Sequence, residues 1–403
     1  MPIYRYRAKK GPKETIEATV EARSEKEAIE KISQIGYLPV YIEETKNAAV
    51  ARTYPNREFS GRVGSREITV FSRELASLLK SGVPILNAIN IILEQAESRN
   101  FRQILQNIHT EVKEGTTFSS ALSRYPKVFP SLYIALIRAG EDSGALPDAL
   151  LRIAEYRLQQ EEALSRFRMA LAYPILMAVV GIGTIVFMLT FVMPRLMKLF
   201  MNMGQDLPLP TQILISLSVG LRQWWFWAIA ATVILIIRRQ ANTGPAKSFL
   251  SRVKLYLPIF GKFMLKAELS RFNRTLELLL KSGITILRAI EVAIPVVDNV
   301  IIKEQLKISY KELEQGESFG RSLKNSKLFP TFMTNLIIVG EESGKLIDAL
   351  SEIASSYERD TDETIKIMTN LLEPLMILVM GLIVGFIVVA MLLPIFEINV
   401  MVR

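Results

Sequence analysis

The sequence contains no cysteine and a single histidine, His109. These absences exclude a disulfide framework, a Cys or Cys/His zinc site, an iron–sulfur cluster and a cysteine nucleophile. A lone histidine with no second His or Cys builds neither a transition-metal site of the usual kind nor a Ser-His-Asp set, and beside Thr110 on an amphipathic helix it reads as a boundary residue. A phosphate loop is also missing: the nearest string, Gly316-Glu-Ser-Phe-Gly320-Arg-Ser, has the wrong spacing and Arg where the motif needs Lys. Residues 1–10 are polar and basic without an apolar core, so no cleavable signal peptide is expected. The first 170 residues hold no uncharged run long enough to cross a bilayer.

What is present is a surplus of apolar residues. They make up 50% of the 403 positions against 22% charged, more apolar than an ordinary soluble domain. Residues 171–193 carry no charge, and residues 371–396 are interrupted only by Glu373. Both runs exceed the roughly 18–20 residues a membrane helix needs. A third run, 224–237, is shorter, but Trp224, Trp225 and Trp227 cluster at one end like an interfacial belt. Arg238 and Arg239 close the other end, and Arg222 lies where it can snorkel. Three transmembrane helices are therefore expected, over 171–193, 217–237 and 370–396.

Charge sets the topology. Residues 238–281 hold ten Lys/Arg against two acidic residues, whereas 194–223 hold only Arg195, Lys198 and Arg222 with Asp206. The positive-inside rule places 238 onward in the cytoplasm, the loop 194–216 outside, residues 1–170 inside and the tail 397–403 outside. Most of the formal charge of +9 is accounted for by this juxtamembrane stretch, so it calls for no nucleic-acid partner.

Self-similarity organises the chain, whose halves align at an offset of 200 to 201 residues. The segment Phe71-Ser-Arg-Glu-Leu-Ala-Ser-Leu-Leu-Lys-Ser-Gly-Val-Pro-Ile-Leu-Asn-Ala-Ile89 reappears as Phe272-Asn-Arg-Thr-Leu-Glu-Leu-Leu-Leu-Lys-Ser-Gly-Ile-Thr-Ile-Leu-Arg-Ala-Ile290. Val128-Phe129-Pro130 matches Leu328-Phe329-Pro330, and Gly140-Glu141-Asp142-Ser143-Gly144 matches Gly340-Glu341-Glu342-Ser343-Gly344. Pro174 and Pro194 bracket the first span as Pro374 and Pro394 bracket the third, a separation of about 30 Å along a helix. Each unit is thus a cytoplasmic helical bundle (67–170 and 238–369) feeding one span in the same orientation. The unrepeated middle span returns the chain to the cytoplasm.

Within each unit the period is helical. Leu146, Ala149, Leu150, Ile153 and Ala154 form an apolar stripe that Leu346, Ala349, Leu350, Ile353 and Ala354 repeat. Gly82 and Gly283, with Lys80 and Lys281 just before, read as C-terminal caps. Gly140 and Gly340 read as the ends of another helix, and Pro130 and Pro330 as the openers of the helices between. Residues 1–44 differ: alternating or β-branched stretches at 4–8 and 15–21, a capping box at Ser24 and Glu27, and a short strand at 38–42 predict a small β-β-α-β module. Residues 45–66 read as a linker.

Most carboxylates fall on polar helix faces, among them Glu358, Asp360, Asp362 and Glu363, which as an acidic cluster are a candidate partner face. Glu141 and Glu341 are different, being held between glycines. They are expected either to cap the helix that follows or, with Lys80, Gly82, Gly140, Ser143, Gly144, Lys281, Gly283, Gly340, Ser343 and Gly344, to contact a partner; a divalent cation is a further option. Apart from Glu373 and Arg222, both near ends, the spans lack buried charge, which speaks against a transport path. A transporter and a membrane enzyme remain the alternatives.

The duplicated Lys-Ser-Gly, Phe-Pro and Gly-Glu-x-Ser-Gly motifs, each running into a proline-bracketed span, resemble the type II secretion system F family, which includes type IV pilus platform proteins. Tyr4-Arg-Tyr-Arg-Ala8, the 17–22 strand and Gly36-Tyr-Leu-Pro39 look like that family's leading module; Thr285 departs where the first repeat has Pro84. The resemblance implies a mainly α, multi-pass inner-membrane platform. Such a platform is an oligomeric, non-enzymatic scaffold without cofactor, working with a cytoplasmic hexameric ATPase, other inner-membrane components and pilin-like subunits. Motif wording and the leading module lean toward secretion over pilus assembly.

Overall fold

In the computed structural model the described residues are 3–9, 15–22, 24–34, 38–44, 63–195, 209–223 with scattered positions to 235, and 260–401. The chain divides into two units, Met1–Gly61 and Arg62–Arg403. In the first, strands β1 (Ile3–Lys9), β2 (Thr15–Glu21) and β3 (Leu38–Glu44) form an antiparallel sheet in the order β2-β1-β3. Pro39 pairs with Ala8 and Tyr41 with Arg7, so Val40 is the extra residue of a bulge. A proline is tolerated there because β3 is an edge strand. Helix α1 (Glu25–Gln34) begins where the Ser24 hydroxyl accepts the Glu27 N–H at 3.3 Å, and it buries Ala28 and Ile32.

The second unit is helical. The first repeat comprises α2 (Ser65–Lys80), α3 (Ile85–Gln95), α4 (Arg99–Lys113), α5 (Phe118–Ser123), α6 (Ser131–Asp142) and α7 (Leu146–Phe187). Then come α8 (Leu209–Arg222) and the second repeat: α9 (Phe260–Lys281), α10 (Ile286–Ala293), α11 (Val300–Glu314), α12 (Phe319–Asn325), α13 (Thr331–Ser343) and α14 (Leu346–Met401). The linker expected over 45–66 lies outside the described residues up to 62. Its last residues are helical, because the Glu67 carboxylate accepts the Gly64 N–H and so opens α2 at Ser65.

The two bundles share one continuous apolar core. Phe71 meets Phe101 edge-on at 5.6 Å, and its counterpart Phe272 is buried in the second repeat. The repeats are stitched together by the buried Tyr156 hydroxyl against Thr275 Oγ1 at 2.9 Å. The Arg152 guanidinium also donates to the Lys281 carbonyl at 2.5 Å, satisfying an acceptor at the end of α9.

The bundles do not hand over to separate spans. The apolar stripe of α7 packs in the first bundle through Leu150, Ile153 and Ala154, and the same helix continues as the first apolar run; α14 does likewise through Leu350, Ile353 and Ala354. At about 1.5 Å per residue these helices of 42 and 56 residues are roughly 63 and 84 Å long. Pro174 and Pro374 therefore lie inside continuous helices rather than at the start of new ones.

Two helical stretches among the described residues, Leu146–Arg195 and Leu346–Leu393, are long and apolar enough to cross a membrane. Side chains such as Val179, Ile182, Leu378 and Leu382 are exposed along them, as lipid-facing residues would be. Of the expected middle span, 217–237, residues 217–223 are described together with scattered positions to 235, and the remaining positions lie outside the described residues. Residues 209–216, assigned to a loop by sequence, are instead the first turns of α8, with Thr211 and Leu214 buried against α7 and α14.

Candidate functional site

The two Gly-Glu-x-Ser-Gly motifs occupy equivalent places, at the C-terminal ends of α6 and α13, and each residue has a distinct task. Glu141 and Glu341 lie within the helices rather than in the turns after them. Each reaches back to an upstream helix. Glu141 accepts the Phe118 N–H at 2.6 Å on Oε1 and the Ser119 N–H at 2.9 Å on Oε2, which are the first two amides of α5. Glu341 accepts the Phe319 N–H and the Gly320 N–H of α12, both at 2.9 Å, together with the Ser318 hydroxyl at 2.6 Å. The expectation that these acids cap the following helix is corrected. They cap the preceding short helix, whose unpaired amides and positive dipole end attract a carboxylate.

The glycines divide the remaining work. A Cβ on Gly140 would stand 2.6 Å from the Ala149 Cβ, and one on Gly340 2.8 Å from the Ala349 Cβ. These glycines permit close helix packing and do not end the helices, as the sequence had implied. The chain reverses at Gly144 and Gly344, whose φ angles of +72° and +69° are left-handed. Ser143 and Ser343 donate back to the Ala139 and Val339 carbonyls, both at 2.7 Å. Gly82 and Gly283 do close α2 and α9. Their N–H groups reach the Leu79 and Leu280 carbonyls, and the Val83 and Ile284 N–H groups reach Leu78 and Leu279, the Schellman pattern. Lys80 and Lys281 lie in the last turns of these helices, Lys281 held at 2.7 Å by Glu277.

This geometry argues against the cation option. The carboxylate oxygens of Glu141 and Glu341 face N–H donors, whose positive ends repel a cation. Among the described residues no group of three His, Asp or Glu side chains converges as metal ligands.

The acidic stretch proposed as a partner face is largely engaged within the chain. Glu358 receives Arg274 through both oxygens, at 3.1 and 2.8 Å; Asp360 pairs with Lys266 at 2.6 Å and Asp362 with Arg166 at 3.5 Å. In the first repeat the polarity is inverted: Arg157 donates to the Ser65 carbonyl and hydroxyl and to Thr69 Oγ1, while Glu161 accepts the Ser65 and Thr69 hydroxyls. The charge difference between the repeats thus matches what α2 and α9 offer to α7 and α14.

Sequence reasoning missed a buried acid on α9, Glu277, wedged between Arg274 at 2.8 Å and Lys281 at 2.7 Å. Burial pushes its pKa up, but hydrogen bonds from Lys281 and Ser351 and the Arg274 charge outweigh it and hold the carboxyl below 4.5. The i+3 and i+4 spacing of opposite charges was the available signal. Glu268, also on α9, accepts the Asp298 N–H at 2.9 Å, and burial raises its pKa above 4.5. Its partner lies 30 residues away, so no local pattern marked it.

Duplicated bundles, each continued by a helix long and apolar enough to cross a membrane and each holding a carboxylate that caps a short helix, define a helical protein built by tandem repetition. Residues 71–194 and 272–394 both match the family described as type II secretion system (T2SS), protein F, and the chain belongs to that family. It is 35% identical to the type IV pilus assembly protein PilC of Thermus thermophilus over 99% of this chain and 98% of that one. It is 29% identical to the type II secretion system protein F of Vibrio cholerae over 99% of both chains. With the type II secretion system protein F of Pseudomonas aeruginosa it shares 30% identity over 94% of each.

Proposed function

We propose that this chain is the inner-membrane platform of a machine that assembles pilin-like subunits, in type II secretion or type IV pilus biogenesis. It couples a cytoplasmic hexameric ATPase to subunit polymerisation and carries no catalytic step of its own. The observation that carries this reading is the continuity of α7 and α14 from bundle core into apolar span. A bundle pushed by a motor tilts or rotates its own membrane helix with no joint between them. Relatives bearing both secretion and pilus names support both settings.

The finer assignments rest on charge and pattern. The chain crosses three times, with 217–237 as the middle span, the bundles 67–170 and 238–369 in the cytoplasm and the tail 397–403 outside, and it works as a homo-oligomer. Contact with the motor falls to exposed side chains of the bundles, because Glu141, Glu341, Glu358 and Asp360 are engaged internally. The test is a three-glycine insertion after Met169 or after Thr369, which uncouples bundle from span. Filament assembly or exoprotein release should be lost while the protein remains inserted and abundant. Assembly at the wild-type level would overturn mechanical coupling.

A further inference from the structure

The helix without a repeat partner, α8, meets both spans at the same kind of backbone defect. Proline has no N–H, so the carbonyl one turn before it loses its helical donor. In hydrocarbon such an acceptor must find another partner. In α14, counting back four residues from Pro394 gives Ala390, and the Thr211 hydroxyl of α8 donates to the Ala390 carbonyl at 2.6 Å. Directly after α7 the chain continues as a π-helical turn, Met188–Val192, and the Met193 N–H reaches the Met188 carbonyl. The next donor in that five-residue register is residue 194, again a proline, which strands the Leu189 carbonyl. The Ser218 hydroxyl of α8 donates to it.

Thr211 and Ser218 are both buried. Spaced by about two turns, they share one face of α8 with Leu214 between them. Around them Leu189, Met193, Ile387, Ala390 and Met391 close an apolar cluster with Leu214, separate from the bundle core. Duplication of the repeat duplicated the proline, and one inserted helix supplies the missing donor to both copies.

We propose that α8 is a hydroxyl latch, joining the ends of the two spans remote from the bundles by donating to the carbonyls that Pro194 and Pro394 leave without donors. A hydroxyl bond to a carbonyl exchanges without unwinding either helix. The latch therefore lets the spans part and re-engage as their bundles move, and it gives the π turn after α7 a fixed register.

The absence of native cysteine makes the test clean. In native membranes, Met193→Cys with Met391→Cys, bridged by a short bifunctional thiol reagent, reports the pairing of the spans. Thr211→Val and Ser218→Ala should each lower the bridged fraction about threefold to tenfold. Pro394→Ala restores an N–H for Ala390 and should rescue Thr211→Val but not Ser218→Ala; Pro194→Ala should rescue only Ser218→Ala. Unchanged bridging in both single variants, or rescue that ignores which proline is replaced, would overturn the latch. If a single variant fails to accumulate, the same cross-rescue is read as restored abundance. Filament assembly is not required for this readout, so a failure here leaves the platform reading intact.

Discussion

Replacing Glu341 by Gln keeps the size of the side chain and removes the feature that matters, a pair of acceptors. In the native site Oε1 takes the Phe319 N–H, and Oε2 takes the Gly320 N–H and the Ser318 hydroxyl. Whichever way the amide is turned, one oxygen becomes an NH2 group pointed at a donor. Hydrogen bonds to a charged acceptor are worth about 1.5–3 kcal/mol, and the interaction with a helix N-terminus adds about 0.3–1 kcal/mol. Because the site is only partly buried, we expect a loss of about 2 kcal/mol in the local opening of α12, which corresponds to roughly 30-fold faster exchange. Amide hydrogen exchange of Phe319 and Gly320 in the detergent-solubilised full chain measures this, with Glu363→Gln, an exposed acid on another helix, as control. Exchange at those two amides equal in wild type and Glu341→Gln would refute the capping role. Glu141→Gln should act in the same way on Phe118 and Ser119.

Three further outcomes are expected. Gly140→Ala places a Cβ 2.6 Å from that of Ala149 and should cost about 1–3 kcal/mol in chemical denaturation, with substantial recovery in Gly140→Ala/Ala149→Gly. The raised pKa of Glu268 means that the folded state binds its proton more tightly than the unfolded state. Its contribution favours folding at low pH and is lost as pH rises from 4.5 through the folded value. Glu268→Gln should therefore flatten that part of the Tm-against-pH curve, whereas Glu277, whose pKa is lowered, contributes stability above 4.5 that is lost as pH falls below it. Glu358→Arg should destabilise the α9–α14 contact by about 1 kcal/mol or more because it faces Arg274, while the exposed Glu363→Arg should change Tm little. Equal effects would return the acidic stretch to the role of a partner surface.

The repeat, the two long apolar runs and the core stripes were legible because each is a one-dimensional pattern. A segment that must cross hydrocarbon announces itself by length, and a helix with one buried face announces itself by period. The roles of the motif residues were not. In sequence Gly140 reads as the end of a helix because a glycine before polar residues resembles a cap; its actual constraint is the Cβ of Ala149, which approaches only after α6 folds back on α7. By proximity in sequence Glu141 reads as a cap for the following helix, yet the amides it caps lie 23 and 22 positions earlier. The acidic run 358–363 looked unpartnered because Lys266, Arg274 and Arg166 sit on other helices.

Composition and periodicity alone point to a duplicated, mainly helical membrane protein without thiol chemistry, since hydrophobic length, helical period and the absence of cysteine are properties of the chain before it folds. Tertiary structure decides which atoms answer which. It makes bundle and span one helix, aims the motif carboxylates backward, and brings two α8 hydroxyls to two carbonyls stranded by prolines 200 residues apart. The physical reason is that a hydrogen-bond acceptor or a missing Cβ specifies that a partner is needed, but only the packing of distant elements selects it.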